Sequence, residues 1–504
     1  MAEAQAQTSP ERAAETTTLE AGDFDSLLSK EFRIRPQDED TKQAVGEAVR
    51  TLAEFVLTES GTVIVPDDAI KTIHRIIAEI DKKLSEQVNL ILHHEDFQKL
   101  EGAWRGLHHL VNNTETDEML KIRFMNISKK DLGKTLEKFE GKRWDQSPIF
   151  KKFYGEEYDQ FGGEPYGCLV GDYYFDHSPS DVRLLRNMAK VAASMHAPFL
   201  AAAAPSLMQM ESWQELNDRE DLTAIFQTPQ YASWRSLREL EDSRYLGLSM
   251  PRYLARLPYG ANTDPVEEFE FEEDTGGADH GRYCWANSAY AMAVNINRSF
   301  KLYGWCSRIR GVESGGVVEN LPTHTFPTDD GGVDMKCPTE IAIGDRREAE
   351  LSKNGLMALI HRKNSDLAAF ISAQSLQKPQ EYDDPDATAN AKLAARLPYL
   401  FATCRFAHYL KCIVRDKIGS FKERDDMQRW LQKWINNYVL DEPRLAKEES
   451  KARKPLSKAE VVVTANEDDP GYYAATFYLR PHYQLEGLTA SLRLVSKLPS
   501  EKGG

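Results

Sequence analysis

Ala459-Glu-Val-Val-Val-Thr464, Tyr472-Tyr-Ala-Ala-Thr-Phe-Tyr-Leu-Arg480 and Leu488-Thr-Ala-Ser-Leu-Arg-Leu-Val-Ser-Lys-Leu498 decide how this chain is read. In the last stretch Leu488, Ala490, Leu492, Leu494, Ser496 and Leu498 alternate with Thr489, Ser491, Arg493, Val495 and Lys497, the period of two that gives a strand one buried face. Val461 and Val463, and Phe477 and Leu479, repeat that alternation, so three strands are expected here. Two helices precede them. The first, Pro398 to Ile418, carries Arg405, His408, Lys411 and Arg415, which at about 100° per residue share roughly a third of the circumference. A basic helix face beside strands able to pair with another chain reads as a surface for assembly.

Working outward, 504 residues are enough for a sizeable core and for two to four domains at about 150 residues each. A hydrophobic fraction of 41%, a charged fraction of 28% and a mean hydropathy of −0.54 describe an ordinary globular protein. No apolar run approaches the roughly 18 residues of a membrane helix, and Met1–Ala21 lacks a secretory layout, so a cytoplasmic location without membrane insertion is expected. Cys168, Cys284, Cys306, Cys337, Cys404 and Cys412 are widely spaced and form no C-x-x-C, which points to reduced thiols and to no metal or other cofactor. A net charge of −16 disfavours nucleic acid as a partner, because such binding neutralises phosphates.

The chain divides into four regions: 1–40, a tail with one short helix; 41–120, helical; 121–380, mixed α/β; and 381–504, helices and strands. The fold class is therefore mixed α/β (α+β) and multi-domain. Phe24, Leu27, Leu28 and Phe32 form one stripe of the short helix, which either packs on the body or folds into a partner's groove. Long amphipathic helices over 41–110 need a partner surface. Cys168–Phe175 reads as a strand, Ser180 as the cap of a helix to about Ser194, and Ala197–Leu200 as the start of a second strand, a βαβ unit. The order recurs as a strand Glu340–Ile343, a helix Asp345–Lys353 with a capping-box-like start, a stop at Asn354-Gly355, and a strand from Leu356. Gln377–Thr388, with two prolines, reads as a linker.

Candidate reaction chemistry does not assemble. His93 and His94 with His108 and His109 do not spell H-E-x-x-H, and on one continuous helix residues 94 and 108 stand roughly 21 Å apart at about 1.5 Å per residue. Gly311-Val-Glu-Ser-Gly-Gly316 lacks the Lys and Ser/Thr of a phosphate loop and reads as a glycine-requiring turn; Asp329–Asp334 reads as a hairpin turn. The acidic run Glu267–Asp274 reads as a solvated loop. Cys404 and His408, four apart, are either a thiolate pair or one packed helix face.

Ile80-Asp-Lys-Lys-Leu-Ser-Glu-Gln-Val88, Lys99-Leu-Glu-Gly-Ala-Trp-Arg-Gly-Leu107, Phe161–Gly167, Arg256–Gly260, Ile309–Glu313, Lys336-Cys-Pro-Thr-Glu-Ile341, Arg405–Leu410, Arg415–Gly419 and Leu479–Gly487 occur in order along the chain. Together they closely resemble the large subunit of the type VI secretion system contractile sheath, the TssC (VipB) family. The resemblance implies a structural subunit rather than an enzyme. It implies pairing with the small sheath subunit TssB (VipA), self-assembly into a helical sheath around the Hcp tube on a membrane-anchored baseplate, contraction, and disassembly by the AAA+ ATPase ClpV. On that footing Phe24, Leu27, Leu28 and Phe32 are the ClpV-binding candidates. Val461, Val463, Phe477, Leu479, Leu492 and Leu494 are the inter-subunit strand candidates. Arg405, His408, Lys411 and Arg415 either face the tube or belong to a solvated or intra-sheath face. A cytosolic α/β hydrolase is the alternative.

Overall fold

The computed structural model describes residues 66–277, 279–328, 330–417, 424–440, 442, 445–465, 473–482 and 484. In chain order the main elements are α1 (Pro66–Leu92), α2 (Glu95–Asn112), α3 (Lys129–Lys138), β1 (Leu169–Phe175), α4 (Pro179–Met195), β2 (Phe199–Ala203), β3 (Leu246–Met250), α5 (Ser288–Tyr303) and β4 (Val317–Val318). They continue with α6 (Asp345–Lys353), β5 (Leu356–His361), β6 (Ala368–Phe370), α7 (Leu397–Lys417), α8 (Arg424–Asn436), β7 (Leu456–Ala465) and β8 (Tyr473–Pro481). A π-helical segment, Lys151–Tyr158, lies between α3 and β1.

Two compact units result. One takes the residues up to Gln98 together with Leu257–Tyr283; the other takes Lys99–Arg256 and Cys284 onward. In the first, Asn89 at the end of α1 holds the acidic loop at both of its amide atoms: Nδ2 donates to the Glu272 carbonyl at 3.2 Å and Oδ1 accepts from the Asp274 N–H at 2.9 Å. The loop is not simply solvated. Glu272 and Glu273 turn their carboxylates inward to accept the backbone N–H groups of Ala261 and Tyr259, and the Glu273 side chain is almost wholly buried.

The second unit is built on a six-stranded sheet of order β1-β2-β3-β5-β6-β4, parallel from β1 to β5 and antiparallel beyond. β2 and β3 are buried along their whole length, as expected of strands covered on both faces. The expected βαβ unit is present. Its helix starts two residues earlier than expected, with Ser178 rather than Ser180 at the cap, and ends at His196 in the left-handed region, φ 52°. The second expected unit is incomplete. Leu356–His361 is a strand and Asp345–Lys353 a helix, capped at Gly344, yet Glu340–Ile343 makes no strand. Its Glu340 carboxylate is instead buried against Arg252, accepting from that residue's N–H at 2.9 Å and from its guanidinium at 2.5 Å. Gly311 and Gly315 both take positive φ, 74° and 84°, which is the glycine-requiring turn. Thr325–Pro327 and Val333–Met335 form the expected hairpin.

Candidate functional site

β7 and β8 form a two-stranded antiparallel sheet with Val461 opposite Phe477 and Val463 opposite Ala475. One face packs on α8 and α7: Val461 and Val463 are buried with Leu431, Ile435, Phe406 and Trp305, and Phe477 and Leu479 are half-buried against them. The four described strand candidates therefore point into the protomer's own core. Leu492 and Leu494 lie outside the described residues.

What the hairpin offers is its backbone. The N–H of Val461 donates to Gln432 Oε1 at 2.9 Å, the N–H of Val463 to Gln428 Oε1 at 3.1 Å, and Gln432 Nε2 donates to the Ala459 carbonyl at 3.0 Å. Two glutamines one turn apart on α8 thus stand in for a neighbouring strand along the outer edge of β7. Because those amides point away from β8, the cross-strand alternation of an antiparallel pair turns the amides of Ala475, Phe477 and Leu479 outward as well. Among the described residues no further strand lies along that edge of β8, whose Tyr473–Thr476 and Tyr478 are exposed.

The basic stripe lies elsewhere than expected. His408 is 2% exposed and its Nε2 donates to the Met195 carbonyl at 2.8 Å at the end of α4. Lys411 pairs with Asp159 at 3.0 Å and stands 3.8 Å from the Tyr158 ring centroid. Arg415 donates to the carbonyls of Gln160 and Tyr158, at 3.0 and 3.3 Å, and Arg405 stacks on Phe300 and Tyr409. A helix end leaves carbonyls without intrahelical donors, and here Arg415 of α7 supplies one to the Tyr158 carbonyl at the end of the π-helical segment. Within the protomer His408 is buried, and Arg405, Lys411 and Arg415 are half-buried and engaged with the chain's own groups.

A different surface is open. On α2 Gly102, Gly106 and Leu110 face inward, whereas Leu100, Trp104 and Val111 are 56%, 58% and 45% exposed, with the Phe124 ring tilted against Trp104 at 5.8 Å between ring centroids. On α1 Ile80, Leu84 and Ile91 form another exposed stripe. Apolar stripes of this kind mark interfaces. Phe24, Leu27, Leu28 and Phe32 lie outside the described residues.

With these surfaces described, comparison with known proteins decides the family. Residues 74–377 match the VipB family model, "EvpB/VC_A0108, tail sheath N-terminal domain", and residues 386–498 match VipB_2, its "tail sheath gpW/gp25-like domain". The chain belongs to the VipB tail-sheath family. It is 72% identical over 488 residues, 97% of either chain, to the type VI secretion system sheath protein TssC1 of Pseudomonas aeruginosa. Among solved structures it is similar to chains of the anti-feeding prophage baseplate (10% identity, TM-score 0.35, 63% of this chain and 66% of the other) and of the contracted anti-feeding prophage sheath (12% identity, TM-score 0.32, 63% and 68%). This VipB-family chain is thus a structural sheath subunit of a type VI secretion system.

The hydrolase alternative finds no support in the residues put forward for it. Burial pushes the Cys404 thiol up to about 12 and holds the His408 imidazole down to about 4, opposite to what a thiolate–imidazolium pair requires. His109 is packed against the Tyr253 ring and held down to about 4 by burial, while His93 pairs with Glu273 at 3.5 Å. The surfaces that sequence reading missed, the glutamine-covered edge and the Leu100–Trp104–Val111 stripe, each carry a signal: Gln428 and Gln432 are i, i+4 beside a strand pair, and Trp104 sits at helical spacing from two aliphatics.

Proposed function

We propose that this chain pairs with the small sheath subunit TssB (VipA), polymerises with it around an Hcp tube in the bacterial cytoplasm on a membrane-anchored baseplate, and contracts to drive the tube outward, acting without catalysis. The observation that carries this reading is the asymmetry of the β7–β8 hairpin. One edge is occupied by the chain's own glutamines and, among the described residues, no strand lies along the other, the kind of edge through which a strand from another chain adds to a sheet. The exposed stripes of α1 and α2 are the surface for the small subunit, and the tail carrying Phe24, Leu27, Leu28 and Phe32 is the handle for ClpV.

Co-expression with the small subunit followed by negative-stain microscopy tests the reading, with Ala475→Pro as the informative variant. Proline there removes an outward amide without costing a rung between β7 and β8. Wild type yields tubes and the variant yields folded heterodimers only. Tubes of normal length from Ala475→Pro would overturn the strand-addition mechanism. A pull-down in which Leu27→Asp/Leu28→Asp retains full ClpV binding would remove the tail assignment.

A further inference from the structure

β7 has the composition of a strand that pairs readily. Between Ala459 and Ala465 it carries three successive valines, a single ionised side chain, Glu460, and no proline. A weakly charged, β-branched edge of that kind is a template for another chain. It is also compatible with itself. Run antiparallel about Val462, two copies of β7 set Val461 against Val463 and Glu460 against Thr464, so no like charges stand opposite one another. Val461 and Val463 are buried whereas Glu460 and Thr464 are exposed, and in this register the buried faces of both copies fall on the same side of the joined sheet. The amides that such a pair would share are those of Val461 and Val463, which point away from β8. A contact of this type is self-complementary and closes as a dimer.

α8 occupies those amides first. Alternate residues of a strand stand about 6.6 Å apart and residues i, i+4 of a helix about 6.0 Å apart along its axis. That match lets Gln432 accept from the Val461 N–H at 2.9 Å while Gln428 accepts from the Val463 N–H at 3.1 Å. The Gln432 amide is held in the accepting orientation, because its Nε2 donates both to the Ala459 carbonyl at 3.0 Å and to Asn436 Oδ1 at 2.8 Å. Apolar contact between α8 and the hairpin comes from the neighbouring row, Leu431 and Ile435, which leaves the two glutamines to the edge.

We propose that Gln428 and Gln432 are specificity residues of assembly, which keep β7 from pairing with β7 of a second copy of this chain and so hold the subunit out of a closed dimer. The proposal rests on the strand-addition reading of the hairpin and assigns the choice of edge to two side chains.

The test uses the full-length chain co-purified with its small subunit and carrying Glu460→Cys/Thr464→Cys. Four residues apart on one strand, these positions stand about 13 Å from each other, too far for a disulfide within a chain. Across a β7–β7 pair they face each other in a non-hydrogen-bonded pair, at disulfide distance. Under mild oxidation, peptide mass spectrometry and a non-reducing gel read the 460–464 link between copies. With Gln428→Leu/Gln432→Leu the link forms roughly tenfold or more faster than with the glutamines in place, since two edge amides have lost their acceptors. Gln428→Glu/Gln432→Glu, whose carboxylates still accept from both amides and add charge to the edge, restores the slow rate. Melting temperature reports folding, and Gln428→Ser/Gln432→Ser, too short to reach the amides, replaces the leucine pair if that pair unfolds the chain. A folded leucine or serine variant that links no faster than the glutamine chain, or a glutamate variant that links as fast as the leucine one, would overturn the proposal. Failure of strand addition itself is read separately, as tubes from Ala475→Pro, and the 460–464 link is scored whether or not tubes form.

Discussion

One substitution made at two helical glycines has opposite expected signs. Gly102 lies inside α2 and Gly133 inside α3, and an alanine gains about 1 kcal/mol of helix propensity at either place. At Gly133 the new Cβ has free room, its nearest neighbour being Leu184 Cδ2 at 4.0 Å, so Gly133→Ala stabilises by close to that full amount. At Gly102 the Cβ meets the Trp285 carbonyl oxygen at 2.4 Å, whereas ordinary contact starts at 3.4 Å, so one partner must retreat by 3.4 − 2.4 = 1.0 Å. The obstacle is backbone rather than a flexible side-chain end. Overpacking of this kind costs about 1–3 kcal/mol, which leaves Gly102→Ala destabilising by up to about 2 kcal/mol after the propensity gain. Urea titration of the co-purified complex, followed by tryptophan fluorescence, reads both variants against wild type. The two midpoints move in opposite directions. A Gly102→Ala midpoint as high as that of Gly133→Ala would refute the close seating of α2 and, with it, the orientation that leaves Trp104 outward.

Three further outcomes follow from the same packing. His408 is neutral in the fold, with a pKa of about 4 against 6.5 when unfolded, so its contribution is intact above pH 6.5 and is lost as pH falls toward 4; lowering the pH from 7 to 5 removes about 2 kcal/mol, and His408→Gln, which retains a donor for the Met195 carbonyl, flattens that part of a pH–melting series. Leu431→Ala empties a fully buried position under the β7–β8 hairpin and costs about 2–5 kcal/mol, measured as a lowered melting temperature. Trp104→Asp, at a side chain 58% exposed, shifts protomer stability by no more than about 0.5 kcal/mol yet weakens capture of the small subunit by tenfold or more in a titration, as loss of an interfacial tryptophan does.

Periodicity carried the elements it is suited to carry. The βαβ unit over 169–203, the helix through Arg405–Arg415 and the strands around Val461 and Phe477 are legible because each buries one face at a fixed spacing. Glu340–Ile343 failed for a different reason. Its pattern is strand-like, but the glutamate's partner, Arg252, is 88 residues away and diverts the segment into an ion pair in which the carboxylate is buried. The partners of the basic stripe are hidden from the sequence in the same manner. Spacing places Arg405, His408, Lys411 and Arg415 on one face correctly; only the fold shows that Lys411 and Arg415 meet the end of a π-helical segment more than 240 residues earlier, through the Asp159 carboxylate and the carbonyls of Tyr158 and Gln160.

The distinction between face and edge explains what the candidate site adds to the sequence. Alternation reports which side chains of a strand are buried, and Val461 and Val463 are buried, with Phe477 and Leu479 half-buried, in the cluster that holds Leu431 and Ile435. Availability for another chain depends on which row of amides lacks a partner, and period-two patterning is silent about that. Here the answer is written in α8, where Gln432 and Gln428 reach across 29 and 35 residues to occupy the β7 edge. Sealing one edge with side chains rather than with charge or proline keeps the hairpin from pairing with a copy of itself at that edge, and among the described residues no strand lies along the β8 edge. A hairpin with a single competent edge accepts a single incoming strand, and a contact of this kind is head-to-tail rather than self-complementary. Repeated between copies it propagates instead of closing as a dimer, and propagation is the geometry that a helical sheath requires.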